Sequence, residues 1–251
     1  MTFGTLHKDY AMHSNRTKLI DIVVENHILT LSINNPPHNY LPGRFFTELD
    51  EGYRQMTGDD IHAVIITGTP KVFSKGADIR EFMENQGVIT EELIVYGNEV
   101  FNRIERLDKP VIAAISGACL GGGFELALCC NFRLCSERSL LGLPEVSIGV
   151  IPGLGGIQRL SRLTGQAKAL ELILLGDIFP AQKALSLNIV SRVFPKDNFM
   201  GHVNIFVKTL LSAKMDAIQS VISLIRQQWH VSEKEQILNS ARQFLVLANK
   251  R

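Results

Sequence analysis

The sequence predicts an α/β protein in which a largely parallel sheet is followed by a helical C-terminal region. Strand-like and helical segments take turns three times before residue 116, which is typical of βαβ crossovers. The segment 110–116 (PVIAAIS) is apolar throughout, as expected for a strand covered on both faces. Beyond residue 197 the pattern is helical only.

The N-terminal half supplies most of the predicted sheet. The segments 19–25 and 28–34 alternate in polarity across a two-residue gap, which predicts a β-hairpin. Aromatic and aliphatic residues at helical spacing predict a helix over 42–56. A buried strand is expected over 62–67 and a second helix over 91–106, ahead of the apolar strand.

The C-terminal half is dominated by helices. We expect helices over 155–163 and 166–175, with Gly165 as the cap between them. A short helix over 181–187 and a small strand over 189–194 follow. The last segment has two apolar stripes at helical spacing, which are Ile218, Val221, Ile222, Ile225 and Trp229, and then Ile237, Ala241, Phe244, Leu245 and Ala248.

Length and composition bound the domain organisation and exclude several classes of function. The 251 residues suit one large domain, and we divide them into a flexible tail (1–18), a core (19–196) and a helical subdomain (197–251). The 26 basic and 25 acidic residues give a net charge of +1, which argues against nucleic acid or an anionic membrane as the main partner. No apolar run reaches the ~20 residues of a membrane span.

Cysteine usage favours a reducing compartment. The four cysteines crowd into residues 119–135 without the spacing of a metal site. We therefore expect buried free thiols, no metal site and a cytoplasmic protein. The polar N-terminus also lacks the apolar core of a secretory signal.

Two glycine-containing segments are candidates for binding a negatively charged group. Gly121-Gly122-Gly123 follows a strand and precedes a helix, where free N–H groups can bind an anion or a developing oxyanion. The same spacing equally suits a tight turn without a ligand. The loop 72–79 (VFSKGADI) is either a surface turn or the source of a second N–H donor.

Two glutamates in apolar surroundings are candidates for proton transfer. Glu125 lies in the first turn of the helix that the glycines open, where the helix dipole alone also favours an acidic residue. Glu145 follows 20 residues later in a Leu-Pro-Glu sequence, where it could instead anchor a loop. A pair of such carboxyl groups beside glycine turns fits general acid/base catalysis on one substrate.

Three motifs in this order resemble the enoyl-CoA hydratase/isomerase (crotonase) superfamily. They are FSKGADI at 73–79, GACLGGGFELAL at 117–128 and GLPEVSIGVIPGLGGIQRL at 142–160, and the resemblance covers nearly the whole chain. It implies a spiral of ββα units, with residues 197–251 as a trimerisation subdomain in a homotrimer or homohexamer. Ile157 in place of the usual threonine and Tyr40 in place of a small residue depart from the family pattern.

The resemblance also implies a site for an acyl-CoA thioester. The backbone N–H groups of Ala77 and Gly122 would form an oxyanion hole, and Glu125 and Glu145 would be the catalytic pair. The residues that would contact coenzyme A are Ser74, Lys75, Gly76, Asp78 and Ile79. No separate cofactor is expected, because coenzyme A is part of the substrate.

The presence of both glutamates favours a 2-enoyl-CoA hydratase. Two alternatives on the same template are a Δ3-Δ2-enoyl-CoA isomerase and a dehydratase of a biosynthetic pathway. An alternative of another class is a family member that binds acyl-CoA or RNA without catalysis. The intact glutamates and glycines and the balanced charge argue against that last alternative.

Overall fold

The structure is a computed structural model that describes residues 17–77, 90–228 and 231–250. The predictions for most of the N-terminal tail and for Asp78, Ile79 and Trp229 lie outside the described residues. The strands are β1 (Ile20–Glu25), β2 (Ile28–Ile33), β3 (Ala63–Thr67), β4 (Val72–Ser74), β5 (Val111–Ile115), β6 (Ala118–Leu120), β7 (Phe132–Ser136), β8 (Leu140–Gly142), β9 (Ile178–Pro180) and β10 (Arg192–Phe194).

The helices alternate with these strands and then continue alone to the C-terminus. They are α1 (Gly43–Met56), α2 (Glu91–Glu105), α3 (Gly122–Cys129), α4 (Gly156–Thr164), α5 (Gln166–Leu174), α6 (Ala181–Ser186), α7 (Phe199–Leu210), α8 (Met215–Gln227) and α9 (Glu233–Ala248). A 3₁₀ helix spans Glu145–Ile148. None of the described helices is both long and apolar enough to cross a bilayer.

The larger sheet confirms the predicted hairpin and the parallel core. Within the described residues its strand order is β1-β2-β3-β5-β7-β10. β1 and β2 are antiparallel, with Ile20 opposite Ile33, and the other neighbours are parallel. β3 and β5 are buried along their whole length, because helices and loops cover both faces.

The structure has a second, smaller sheet that the sequence did not predict. Strands β4, β6, β8 and β9 have three residues each in the described chain and pair in that order. Segments this short have no readable periodicity, and none of these four strands was predicted. The prediction also missed β7 of the larger sheet, whereas β10 lies within the strand predicted over 189–194. The chain thus repeats a strand of the larger sheet, a strand of the smaller sheet and a helix, which is the ββα unit that the resemblance implied.

The smaller sheet positions the candidate site. β4, β6 and β8 are parallel, so their carboxyl ends lie at the same edge. The loop 75–77 leaves β4, the triple glycine leaves β6, and the segment with Glu145 leaves β8. The fold therefore brings together three segments that are distant in sequence, as expected at the carboxyl edge of parallel strands.

The C-terminal helices differ from one another in how many of their apolar residues are buried. α7 buries Phe199, Val203 and Val207 against the larger sheet. In α8 only Ile218 is buried, and α9 has no buried residue among those described. The two predicted stripes are thus mostly exposed on this chain, with Ile237 at 64% and Phe244 at 70%.

Candidate active site

A cleft of about 250 Å³ opens at the carboxyl edge of the smaller sheet. It brings together six of the residues singled out in the sequence, which are Lys75, Ala77, Gly121, Gly122, Glu125 and Glu145. The rest of the lining is mainly apolar, and it includes Leu41, Phe46, Leu93, Ile94, Val150, Ile151 and Leu154. An apolar cleft with a few convergent polar groups is the usual form of a site for a small organic substrate.

The loop after β4 reaches the N-terminus of α3 because a glycine lets the two backbones touch. Gly76 has a φ of +80°, and a Cβ atom on it would lie 2.7 Å from the Gly122 nitrogen. Only glycine has both the required conformation and the required space. The contact places Ala77, the next residue, at the same cleft as Gly122.

Asn39 fixes β4, the strand that precedes this loop, through hydrogen bonds, although no pattern in the sequence assigned it a role in the site. Its buried Nδ2 donates to the carbonyl groups of Ile33, Val72 and Phe73 at 3.0–3.1 Å. Its own carbonyl accepts from Ser74 Oγ at 2.7 Å. The signal in the sequence was the proline turn that Asn39 closes, where asparagine tolerates the observed φ of +51°.

Ser74 and Gly76 make contacts within the protein rather than with the cleft. Ser74 is fully buried, and its hydroxyl group also accepts from the Gly76 N–H at 3.1 Å. Neither residue is part of the cleft lining in the described chain, whereas Lys75, which lies between them, is. A Cβ on Gly123 would lie 2.6 Å from the Ser74 Cβ, so the triple glycine also lets α3 pack on β4.

Glu125 lies at the floor of the cleft. Its side chain is on the first turn of α3, and the residue is only 2% exposed. Its Oε1 accepts from the backbone N–H groups of Leu154 and Gly156, both at 2.8 Å. Burial raises the pKa of Glu125 to about 7, against the opposing effect of the two N–H donors, and the nearby Glu145 contributes to the rise.

Glu145 approaches the same cleft from the other side. It opens the 3₁₀ helix, and its Oε1 would lie 3.1 Å from a Cβ on Gly121, at the start of α3. Its Oε2 is buried and has no hydrogen-bond partner among the described residues. Burial raises the pKa of Glu145 above its ordinary value.

This arrangement has the parts needed to move protons beside a polarised carbonyl group. The N-terminus of α3 favours negative charge, which a carbonyl oxygen develops as it becomes an oxyanion. Burial raises the pKa of both glutamates, and Glu125, with a pKa of about 7, can hold or release a proton near neutral pH. The apolar wall suits the hydrocarbon part of a substrate.

Comparisons with known proteins identify the family of this chain. The family model for "Enoyl-CoA hydratase/isomerase" matches residues 24–250. Over 174 residues the chain is 44% identical to a probable enoyl-CoA hydratase of Bacillus subtilis, covering 68% of this chain and 67% of that protein. Over 179 residues it is 39% identical to a short-chain-enoyl-CoA hydratase of Clostridium acetobutylicum, covering 70% and 69% of the two chains.

A solved structure shows the same likeness in three dimensions. It is a putative enoyl-CoA hydratase from Thermobifida fusca in complex with CoA, and its TM-score to this chain is 0.85. The two proteins are 26% identical, and the match covers 92% of this chain and 93% of the other. The spiral of ββα units is therefore shared along nearly the whole chain.

Proposed function

Since the chain belongs to the enoyl-CoA hydratase/isomerase family, we propose that it adds water across the 2,3 double bond of a 2-enoyl-CoA thioester. The product would be a 3-hydroxyacyl-CoA, and the chain is accordingly an enzyme of the hydro-lyase type. The observation that supports this reaction best is that two glutamates with raised pKa values line one cleft with Gly122 and Ala77.

The oxyanion hole would act on the thioester carbonyl group. As water attacks C3, electron density moves through C2 onto the carbonyl oxygen and gives it enolate character. The backbone N–H groups of Ala77 and Gly122 would bind that oxygen. Because the negative charge appears only in the transition state, donors fixed in advance lower the barrier rather than only tightening substrate binding.

The two glutamates would handle the water and its protons. Glu125, held by Leu154 and Gly156, would position and activate the water. Glu145, whose Oε2 has no partner in the described chain, would take a proton from the water and deliver one to C2. The water oxygen and one hydrogen end on C3 and the other proton on C2, which balances the addition.

The coenzyme A needed for the reaction would enter as part of the substrate. Proton transfer to and from an activated thioester needs only carboxyl groups and water, so we propose no cofactor besides the coenzyme A of the substrate. Lys75 lines the cleft and is placed to contact the coenzyme A part, while Ser74 and Gly76 shape the loop that does so. The contacts proposed for Asp78 and Ile79 lie outside the described residues.

The assay with purified protein and crotonyl-CoA follows the loss of the conjugated-thioester absorbance. We expect hydration by the wild type and almost none by Glu145→Gln, which should still bind a coenzyme A ester. Glu171→Gln is the matched control, since Glu171 is an exposed residue of α5 that pairs with Lys168. No activity across 2-enoyl-CoA chain lengths would contradict the proposed function.

A Δ3-Δ2-enoyl-CoA isomerase is the second candidate function. The observation in its favour is that, of the two glutamates, only Glu145 has a fully buried carboxyl oxygen without a hydrogen-bond partner in the described chain. One such carboxyl group can carry a proton between two carbon atoms of the same substrate. Turnover of 3-enoyl-CoA but not of 2-enoyl-CoA would favour this candidate.

We also propose that the chain assembles as a homotrimer or as a homohexamer. The support is the row of exposed apolar residues on α8 and α9, which a single chain leaves in contact with water. A cytoplasmic location is proposed as well, because the four cysteines are buried free thiols.

A further inference from the structure

Arg159 is a buried cation close to the cleft that has no part in the mechanism above. It lies on α4 and is 5% exposed. Its Nε donates to Glu105 Oε2 at 2.9 Å, and one terminal nitrogen donates to Asn102 Oδ1 at 2.7 Å. Its other terminal nitrogen donates to the carbonyl group of Leu154 at 2.8 Å. The guanidinium group therefore ties α2 to the loop before α4.

The backbone groups of this loop bond to two different sides: its N–H groups donate to Glu125, and its carbonyl groups accept from side chains of α2 and α4. The Leu154 carbonyl accepts from Arg159, while the Leu154 N–H donates to Glu125 Oε1. Gly156 donates to the same oxygen. From α2, Asn98 Nδ2 also donates to the Gly153 carbonyl at 2.8 Å. The loop 153–156 is thus held from α2 on one side and holds Glu125 on the other.

We propose that Arg159 is a positioning residue that, by holding loop 153–156, sets the orientation and the protonation state of Glu125. The proposal rests on the proposed hydration for its effect on rate, since Arg159 is not part of the cleft lining in the described chain. The predicted effect of Arg159 on the protonation of Glu125 does not depend on the proposed hydration. A titration of the Glu125 carboxyl group can detect that effect without any substrate.

The charges around Glu125 support this role. Glu145 on the 3₁₀ helix raises the pKa of Glu125, whereas Arg159 on α4 lowers it. The Cys129 thiol, one turn along α3, has a pKa raised well above its ordinary value by burial and stays neutral. Lys75 lines the same cleft, and Glu105 on α2 pairs with Arg159. Of these groups, Arg159 is the cation that also bonds to the loop holding Glu125.

The kinetic test compares Arg159→Lys and Arg159→Met with Arg162→Met. Arg162 is the matched control, because it also pairs with Glu105 but is 45% exposed. We expect kcat to fall by about 100-fold in Arg159→Met, because a misplacement of about 1 Å costs that much, with KM nearly unchanged. Arg159→Lys should lose less, and Arg162→Met should keep the wild-type kcat. A wild-type kcat in both Arg159 variants would overturn the proposal.

The second test needs no activity. The carboxyl group of Glu125 is titrated by infrared difference spectroscopy against Glu125→Gln, in the wild type and in each arginine variant. Loss of the cation in Arg159→Met should move the midpoint upward by about 1 pH unit. Arg162→Met should leave it in place. An unmoved midpoint in a folded Arg159→Met protein would overturn the proposal.

The two tests separate failure of the proposal from failure of the proposed function. If the wild type hydrates no 2-enoyl-CoA, the function fails, and the titration still decides the role of Arg159. If Arg159→Met does not fold, Arg159→Lys replaces it, because lysine keeps the charge but cannot bridge Glu105, Asn102 and Leu154 together. In that case an unchanged kcat together with an unchanged midpoint in Arg159→Lys would overturn the proposal.

Discussion

Glu125 combines burial with hydrogen bonds that only partly offset it. Burial opposes ionisation, while the N–H groups of Leu154 and Gly156 favour the charged form. The sequence pointed to the glutamate through its apolar neighbours. It could not point to the donors, because they are backbone N–H groups of a loop about 30 residues further along the chain. Asn39 could not be found from the sequence for a similar reason, since its Nδ2 group donates to backbone carbonyl groups, two of them in β4. The main side-chain partners of Arg159, Asn102 and Glu105, lie more than 50 residues away in α2.

The raised pKa of Glu125 should make the protein less stable as the pH rises. The folded pKa is about 7 against an ordinary value of 4.5, so between these values the native state keeps a proton that the unfolded chain has lost. The free energy of unfolding should therefore fall from pH 5 to pH 8, on the order of 3 kcal/mol from this group. Urea denaturation at several pH values measures it.

Glu125→Gln is the control for that measurement. The amide oxygen of glutamine can still accept from Leu154 and Gly156, but the side chain does not titrate. Relative to the wild type, the variant should gain stability steadily between pH 5 and pH 8. Parallel stability curves for the two proteins would contradict the raised pKa. Glu145 contributes in the same direction in both proteins, because burial raises its pKa too.

The elements that form the site differ in how far the sequence reveals them. The helices α1, α2, α4 and α5 and the buried strands β3 and β5 begin and end within two residues of their predicted bounds, because each has a clear apolar period. The three-residue strands of the smaller sheet were missed, although three of them lead into the segments that carry Ala77, Gly122 and Glu145. Their pairing depends on partners far along the chain, such as Val72 with Ala118.

The contact between the β4 loop and α3 gives a test at the level of these elements. Gly76→Ala should push against the Gly122 nitrogen, 2.7 Å from the new Cβ, and so displace one donor of the proposed oxyanion hole. Loss of one such donor lowers kcat by about 100-fold or more. Hydration of crotonyl-CoA measures the effect.

Gly165→Ala is matched to that change in φ. Gly165 has the same φ of +80° but no atom within 4 Å of a new Cβ. Both variants should lose about 1–3 kcal/mol of unfolding free energy, because each places a Cβ atom on a residue with positive φ. Gly165→Ala should keep its activity. Equal losses of activity in the two variants would mean that strain alone, rather than the contact with α3, impairs catalysis.

At the scale of the whole molecule, the sequence revealed the apolar stripes but not what covers them. Helical spacing correctly predicted α8 and α9, and both helices leave most of their apolar stripe exposed on this chain. The apolar period of a helix predicts only that one face of the helix is buried. Whether the same chain or another copy provides the cover depends on the tertiary fold.

A charge on this exposed face should break the proposed assembly. Phe244 is largely exposed on α9, so Phe244→Glu should disturb the single chain little but should disfavour burial between copies. Light scattering after size-exclusion chromatography should show about three or six chains for the wild type and one for the variant. Val24→Glu, on the exposed face of β1, is the control and should assemble normally. A monomeric wild type would contradict the proposed oligomer.

The placement of Gly122 and Glu125 on one turn of α3 has a consequence for how this scaffold can change. In the proposed mechanism, an oxyanion donor and one carboxyl group are tied together in a buried helix, whereas Glu145 arrives on a separate, half-buried segment. Substitutions in residues 144–150 would therefore change which atom of the substrate exchanges a proton, and the shape of the cleft wall that this segment forms, while leaving the proposed oxyanion donors in place. Selection in the laboratory for a new reaction would be best directed at that segment, with α3 left untouched.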